Sequence, residues 1–219
     1  MTNDAAILQK VNKQHKLGDF FEIKRGVEAG KKDDSIVEYP TEYKLLRGQD
    51  VSAYSINFNQ QYILFDKYDT SKFKELSMYS NPKILIRRVS NQIQATYDVD
   101  RYVVLNTVYC INLKTNNKYS PLFYVGVLNS RLISFWFTKT YCNTDKLFPY
   151  IRISQLQSVP LADPENQTEA DIVRTVKEIF SIKSNNPSAD ISALESEIDR
   201  LIYQLYGLTD EEIKIIEES

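Results

Sequence analysis

The stretch "PKILIRRVSNQIQATYD", Pro82 to Asp98, decides how the rest of the chain is read. Ile84, Leu85 and Ile86 are apolar in a row, and two arginines and the polar run Ser90, Asn91, Gln92 follow. Alternation at a period of two makes this a β-hairpin turning at Ser90–Asn91. Ile84, Ile86 and Arg88 then share one face of the first strand, and Leu85, Arg87 and Val89 the other. Ile93, Ala95 and Tyr97 oppose Gln92, Gln94 and Thr96 on the return strand. A hairpin that only fills a core does not need two arginines and three donor- and acceptor-rich side chains at its tip. The same alternation splits the arginine pair. At most one arginine reaches a ligand, and the other is expected to pair with a carboxylate such as Asp98 or Asp100. Asn91 and Gln92 at the tip are better placed for recognition, although a type I′ turn also accounts for Asn91.

The surroundings of the hairpin are β-rich. "LGDFFEIKRGV" reads as a short strand with turn glycines at Gly18 and Gly26, and "QYILFD" as a compact apolar strand. "RYVVLNTVYCINL" supplies one or two more β-branched strands. At "SPLFYVGVLNSRLISFWFTK" the period changes. Ser120 fits an N-cap and Pro121 the first helical position, and Leu122, Val125, Leu128, Leu132 and Phe135 or Trp136 recur at helical spacing. One deeply buried helix is predicted here, with Trp136 in the core. "FPYIRISQLQSVPLADP" reads as a loop and short strand between Pro149 and Pro160. From Asn166 the pattern is helical to the end, broken at "SNNPSAD", with Gly207 as a C-cap and Thr209 with Glu212 as a capping box. The chain thus divides into a polar lead-in (1–16), an α/β body (17–164) and a C-terminal helical segment (165–219).

Charge follows this division. Residues 1–160 carry 22 Lys/Arg against 15 Asp/Glu, and residues 161–219 carry 5 against 14. A basic body beside an acidic segment suits a polyanion-binding domain, and equally a mildly basic domain beside a solvated acidic helical face. Cys110 and Cys142 are too few for a disulfide scaffold and lack metal spacing. With no signal peptide and no apolar run of membrane length, the chain reads as cytoplasmic with no membrane partner.

The chemistry of catalysis is hard to find. His15, the one histidine, sits among Lys13, Gln14 and Lys16 and reads as solvated. "RGVEAGKKDD" lacks the phosphate-loop pattern because Lys31 is followed by Lys32. Neither a cofactor loop nor an Asn/Asp-Pro-Pro-aromatic motif is present for a methyltransferase. Asp19 and Glu22, with Lys24, are the nearest thing to a metal-nuclease set. Three apart on one strand, they point to opposite faces instead of converging on Mg2+. What remains is binding. Lys31, Lys32, Arg47, Gln49, Arg88, Asn91, Gln92, Lys139, Asn143, Lys146 and Arg152 all fall at predicted turns or strand ends. Cations there neutralise phosphates, and Arg, Asn and Gln match base edges. Lys31, Lys32, Lys139 and Lys146 read as phosphate contacts, and Arg47 and Gln49 as able to do either job. Arg152 either contacts phosphate or anchors its loop. No catalytic and no metal-ligating residue is assigned.

In this order along the chain, "RGVEAG", "LLRGQDVSAY", "PKILIRR", "NTVYCI", "YVGVLNSRLISFWF" and "FPYIRISQLQSVPL" resemble the C-terminal specificity domain, or target recognition domain, of TaqI-like and type IIG restriction–modification proteins, related to type I specificity subunits. The resemblance covers roughly residues 17–219. It implies an α/β (α+β) fold with a twisted, mainly antiparallel sheet and a buried helix, followed by a helical hairpin. It implies a prokaryotic module that reads a short stretch of double-stranded DNA. That module would position DNA for an N6-adenine methyltransferase domain or subunit, and for a nuclease where one is fused, using S-adenosylmethionine and Mg2+ that those parts, and not this chain, would hold. Family loops diverge, so base-contacting residues do not carry over. Asn129 and Ser130 in the shared Leu-Asn-Ser tripeptide are read as helix packing. The competing reading is a protein-interaction or assembly module whose basic loops are incidental.

Overall fold

The computed structural model of the chain describes residues 3–30, 33–67, 69–73, 75–114, 119–141 and 150–219. Its helices are α1 (Asn3–Val11), α2 (Leu17–Phe20), α3 (Pro121–Asn129), α4 (Arg131–Tyr141), α5 (Ile153–Gln157), α6 (Asn166–Asn185), α7 (Ser192–Leu205) and α8 (Asp210–Glu217). Its strands are β1 (His15–Lys16), β2 (Phe21–Arg25), β3 (Ile36–Val37), β4 (Tyr43–Leu46), β5 (Val51–Ser52), β6 (Ser55–Ile56), β7 (Tyr62–Ile63), β8 (Lys83–Arg87), β9 (Ala95–Asp98), β10 (Val103–Val104), β11 (Val108–Leu113) and β12 (Pro160–Leu161).

Three layers result. The central sheet has the order β2-β11-β8-β9 and is antiparallel throughout. On one side the helices cover Ile84, Ile86, Tyr109 and Ile111. On the other, Leu85, Val108 and Cys110 pack on a second sheet of order β10-β4-β7-β3, antiparallel except for the β10–β4 pair. Strands β8 and β11 therefore feed two cores by simple alternation. This is the mainly antiparallel α/β arrangement with C-terminal helices that the sequence implies.

Gly26 lets the chain cross between the sheets. A Cβ there would lie 2.1 Å from the Val104 carbonyl oxygen, so no side chain fits. Beyond it Val27 donates to that carbonyl at 2.8 Å and pairs with Leu105. Gly207, at φ +65°, closes α7 in the left-handed region that glycine adopts without strain. Thr209 and Glu212 form the capping box of α8.

Five local expectations change. Strands β8 and β9 pair from Lys83↔Asp98 to Ile86↔Ala95, but residues 88–94 do not make a two-residue turn. Arg88 N–H instead donates to the Thr107 carbonyl (2.9 Å), Ile151 N–H donates to the Arg88 carbonyl (3.0 Å), and Val89 bridges Tyr150. The backbone of Arg88 and Val89 is thus captured by neighbouring loops. The one predicted buried helix is two. The Asn129 side chain grips strand β9, accepting from Ala95 N–H and donating to its carbonyl, both at 2.8 Å. Ser130 is extended, and its hydroxyl accepts from Ile133 N–H to start α4. Leu-Asn-Ser is a packing device, as read from the sequence, and also a cap between two helices, which the sequence reading did not include. The predicted loop at 150–158 holds helix α5, whose start is fixed by Arg152 N–H on the Gln155 side chain (2.8 Å). The polar lead-in holds α1, whose Ile7 and Val11 are fully buried.

The last change concerns Asp98, which pairs with Lys83 and not with an arginine. Both side chains are fully buried, with Nζ and Oδ2 2.5 Å apart. The same carboxylate oxygen accepts from Tyr102 N–H (3.0 Å). Burial pushes the Asp98 carboxyl above its usual range, and Lys83 pulls it back. Removing one partner leaves the other charged and dry. Lys83→Met should cost about 3–5 kcal/mol, and Lys83→Met with Asp98→Leu should recover most of that loss. Urea denaturation of the three chains measures both.

Candidate nucleic-acid interface

The helix-facing side of the central sheet is not covered along its whole length. Three adjacent strands run past the end of the helical core on that side. There Arg25 on β2 and Arg88 just past β8 flank the buried Tyr109 of β11, where further in the same face carries Ile23, Ile86 and Ile111. Tyr109 lies directly opposite Arg25 in the ladder. Tyr150 and Arg152 approach from the α5 side, and together these residues with Lys24 and Ser154 enclose an open cleft of about 850 Å³.

Hydrogen bonds fix its wall. The Tyr109 hydroxyl donates to the Ile151 carbonyl (2.7 Å), which fastens the Tyr150–Arg152 segment to β11. Thr107 joins two further loops, its hydroxyl accepting Gly48 N–H (2.9 Å) and its carbonyl accepting Arg88 N–H (2.9 Å). Asn106 donates from its side chain to Glu28 (2.6 Å) and from its backbone to Val27 (2.8 Å), and its carbonyl accepts from Arg88 Nη1 (3.3 Å). The Arg88 guanidinium lies over the Tyr150 ring, 5.0 Å from its centre. Tyr150 is 53 % exposed, large for an aromatic side chain.

The cations of this cleft are not equivalent. Arg25 is held by Glu28 at 2.6 Å. Lys24 contacts Glu22 at 3.1 Å and Glu75 at 3.8 Å, exposed pairs that contribute little in water. Arg152 is exposed at the rim. Glu22 and Asp19 do not converge, since Asp19 accepts Lys16 N–H at the start of α2 (2.8 Å). Among the described residues no group of three or more His, Cys, Asp or Glu is placed to hold a metal ion.

The other sequence-predicted residues scatter. Asn91 and Gln92 are exposed on a second cleft of about 670 Å³, shared with Lys139, Asn129, Arg131 and Asp199. Lys139 is ion-paired with Asp4 of α1 (2.8 Å), so its charge is already engaged. Arg47 is half-buried, with Nε on the Gln61 side chain (2.5 Å), which makes it part of the loop's frame, while Gln49 beside it is exposed. Lys31, Lys32, Asn143 and Lys146 lie outside the described residues, as do Cys142 and Pro149. Arg87, on the opposite face from Arg88, donates to the Val89 carbonyl (3.0 Å). The structure thus unites Arg88 with Arg152 and separates both from Asn91, Gln92 and Lys139. Lys24, Arg25, Tyr109 and Tyr150 went unassigned in the sequence. The signal for Arg25 and Tyr109 was the shared face with Ile23 and Ile111, and for Tyr150 only the aromatic beside Arg152.

A family model for the TaqI-like C-terminal specificity domain matches residues 43–161. More than half of the chain is matched, and the chain belongs to that family. It is 27 % identical over 153 residues to a putative type II restriction enzyme and methyltransferase of Methanocaldococcus jannaschii, covering 67 % of this chain and 13 % of that protein. In fold it is similar to the type IIL restriction-modification enzyme MmeI, solved in complex with DNA (TM-score 0.64, 12 % identity, 94 % of this chain and 36 % of that one). It is also similar to the type IIG restriction endonuclease BpuSI (TM-score 0.54, 11 % identity, 94 % and 33 %). The chain spans about a third or less of each of these proteins.

The second cleft carries a titrating group. Asp199 is 4 % exposed, accepts Arg131 N–H (2.8 Å) and faces the Arg131 guanidinium (3.4 Å). Burial pushes its carboxyl up from 3.8 to about 6, against the pull of Arg131 and with Glu195 and Glu217 adding to the rise. A raised folded value favours the protonated form. Its contribution to stability is therefore fully present below the unfolded value and is lost as pH rises through about 6. Asp199→Asn keeps an oxygen for Arg131 N–H and removes this slope. Between about pH 4 and pH 7 the melting temperature of the variant should rise relative to the parent chain. Thermal melts across that range test it, and a constant offset counts against the assignment.

Proposed function

We propose that this chain reads a short sequence of double-stranded DNA, mostly from the major groove, as the specificity module of a restriction–modification enzyme. The observation that carries this reading is the cleft at the strand ends, where Arg88 and Arg152 come together from separate elements around exposed Tyr150. Family membership supports it, since the family is one of specificity domains. Duplex binding needs cations spaced to follow phosphates and donors spaced to meet base edges. Arg152 at the rim suits the first role. The exposed side chains of Gln49, Asn91 and Gln92 on neighbouring loops suit the second.

Catalysis would belong to other parts of the assembled enzyme. An N6-adenine methyltransferase domain or subunit would bind S-adenosylmethionine, and any fused nuclease would bind Mg2+. This chain would supply register and orientation. The acidic segment 161–219, with 14 Asp/Glu against 5 Lys/Arg, would repel DNA and so suits docking on those catalytic parts.

Fluorescence anisotropy of the full chain on labelled duplexes, titrated with salt, tests the reading. Binding should weaken steeply with salt. Arg152→Ala should weaken it on every sequence alike and reduce the slope of log K against log[salt] by about 0.9, the value of one phosphate contact. Absence of binding at low salt, or binding indifferent to salt, overturns the proposal in favour of an assembly module.

A further inference from the structure

The cleft contains one arginine that is positioned without being neutralised. The Arg88 guanidinium lies over the Tyr150 ring, 5.0 Å from its centre, donates from Nη1 to the Asn106 carbonyl at 3.3 Å and lies against the Tyr109 hydroxyl. These partners are uncharged. Each is itself fixed, Asn106 by Glu28 and Val27 and Tyr109 by the Ile151 carbonyl. Arg25 in the same cleft is tied to a carboxylate, Lys24 contacts Glu22 and Glu75, and Arg152 lies toward the exposed edge.

A lysine meets phosphate as a point charge on a flexible stem, whereas an arginine fork matches either two phosphate oxygens or a base edge. The two are told apart by whether its loss acts on every sequence or at one position. A base contact asks for a plane held at a fixed angle, with two N–H groups side by side. A ring face beneath a guanidinium and one hydrogen bond to a carbonyl together restrict how it can turn. The guanidinium then presents its remaining donors as a fork. In the major groove the acceptor pair matching that fork is O6 and N7 of guanine. Resting on the DNA-reading function proposed above, we propose that Arg88 reads a guanine and that Tyr150 is the positioning residue that holds its plane.

The full 219-residue chain is used to select duplexes from a randomised pool, and binding is then measured on the enriched site and on versions with each guanine replaced. Arg88→Lys keeps the charge and loses the fork. It should lower the preference for guanine at one position on the order of 10- to 100-fold, leaving the other positions and the salt slope unchanged. Tyr150→Phe should keep that preference, and Tyr150→Ala should weaken it at the same position only, with thermal melts showing that each variant is folded. Equal loss on all sequences with a shallower salt slope in Arg88→Ala would make Arg88 a phosphate contact and overturn the assignment. So would an unchanged preference in Arg88→Lys. If the parent chain binds DNA with salt sensitivity but enriches no sequence, the sequence-reading function itself falls, and this assignment with it.

Discussion

Lys83 and Asp98 stand opposite each other at the base of the β8–β9 hairpin, and their ion pair is sealed from water between the two sheets. A pair so buried is costly to desolvate, so its worth lies in what its geometry permits. It aligns the hairpin, because a slip of β9 by one residue would turn Asp98 to the helix side, among Ile84, Ile86 and Ala95, and leave Lys83 alone between the sheets. It also reaches forward, since Asp98 holds Tyr102 N–H at the entry to β10. One carboxylate thus ties the central sheet to the second sheet. The alternation of β8 and β11 between two cores depends on that alignment.

With its base so pinned, the hairpin leaves its far end to other partners. Arg88 and Val89 are taken up by Thr107 and by Tyr150–Ile151, and Asn91 and Gln92 go to the α4 side. The loop therefore straddles two clefts that differ in character. The first is cationic and aromatic. Both pair cations with carboxylates, Arg25 with Glu28 in the first and Lys139 with Asp4 and Arg131 with Asp199 in the second, but the first also holds Arg88 on neutral partners. Proximity in sequence concealed this separation. Residues 88 to 92 look like a single recognition tip, yet the captured backbone of Arg88 and Val89 directs its two ends to different surfaces.

What was legible in the sequence was what short-range periodicity encodes. The hairpin strands, the Ser120 cap, the buried Trp136, the break at "SNNPSAD" and the close of α7 at Gly207 all follow from local pattern. The split between α3 and α4 did not, because its cause is a contact between Asn129 and Ala95, 34 residues apart. Helix α1 was missed because its two buried positions, Ile7 and Val11, make a single i,i+4 pair in a short segment with polar ends, too little to show a helical period. The partner of Asp98 was missed because Lys83 reads as a solvent-facing strand start, and only the second sheet makes that position internal. The cleft was half legible. Arg88 and Arg152 were visible as loop cations, but Arg25 and Tyr109 sit inside strands, and strand pairing is what brings them beside Arg88.

The net charge of the body, in turn, is a weaker guide to binding than its distribution after pairing. Arg25, Lys72, Lys83 and Lys139 are each bound to a carboxylate by a direct contact. Such charges stabilise loops and sheet edges, and drawing one toward a phosphate would strand its partner. A cation anchored by neutral groups has no such penalty. Arg88 is in that position, with a tyrosine ring, a backbone carbonyl and a phenol as its anchors. Its surroundings order the side chain before any ligand arrives, so less conformational entropy is lost on binding. They also leave its full charge available. The cleft thereby separates two tasks that a count of basic residues merges. Carboxylate-bound cations hold the framework, and the proposed DNA contact falls to a carbonyl-bound one.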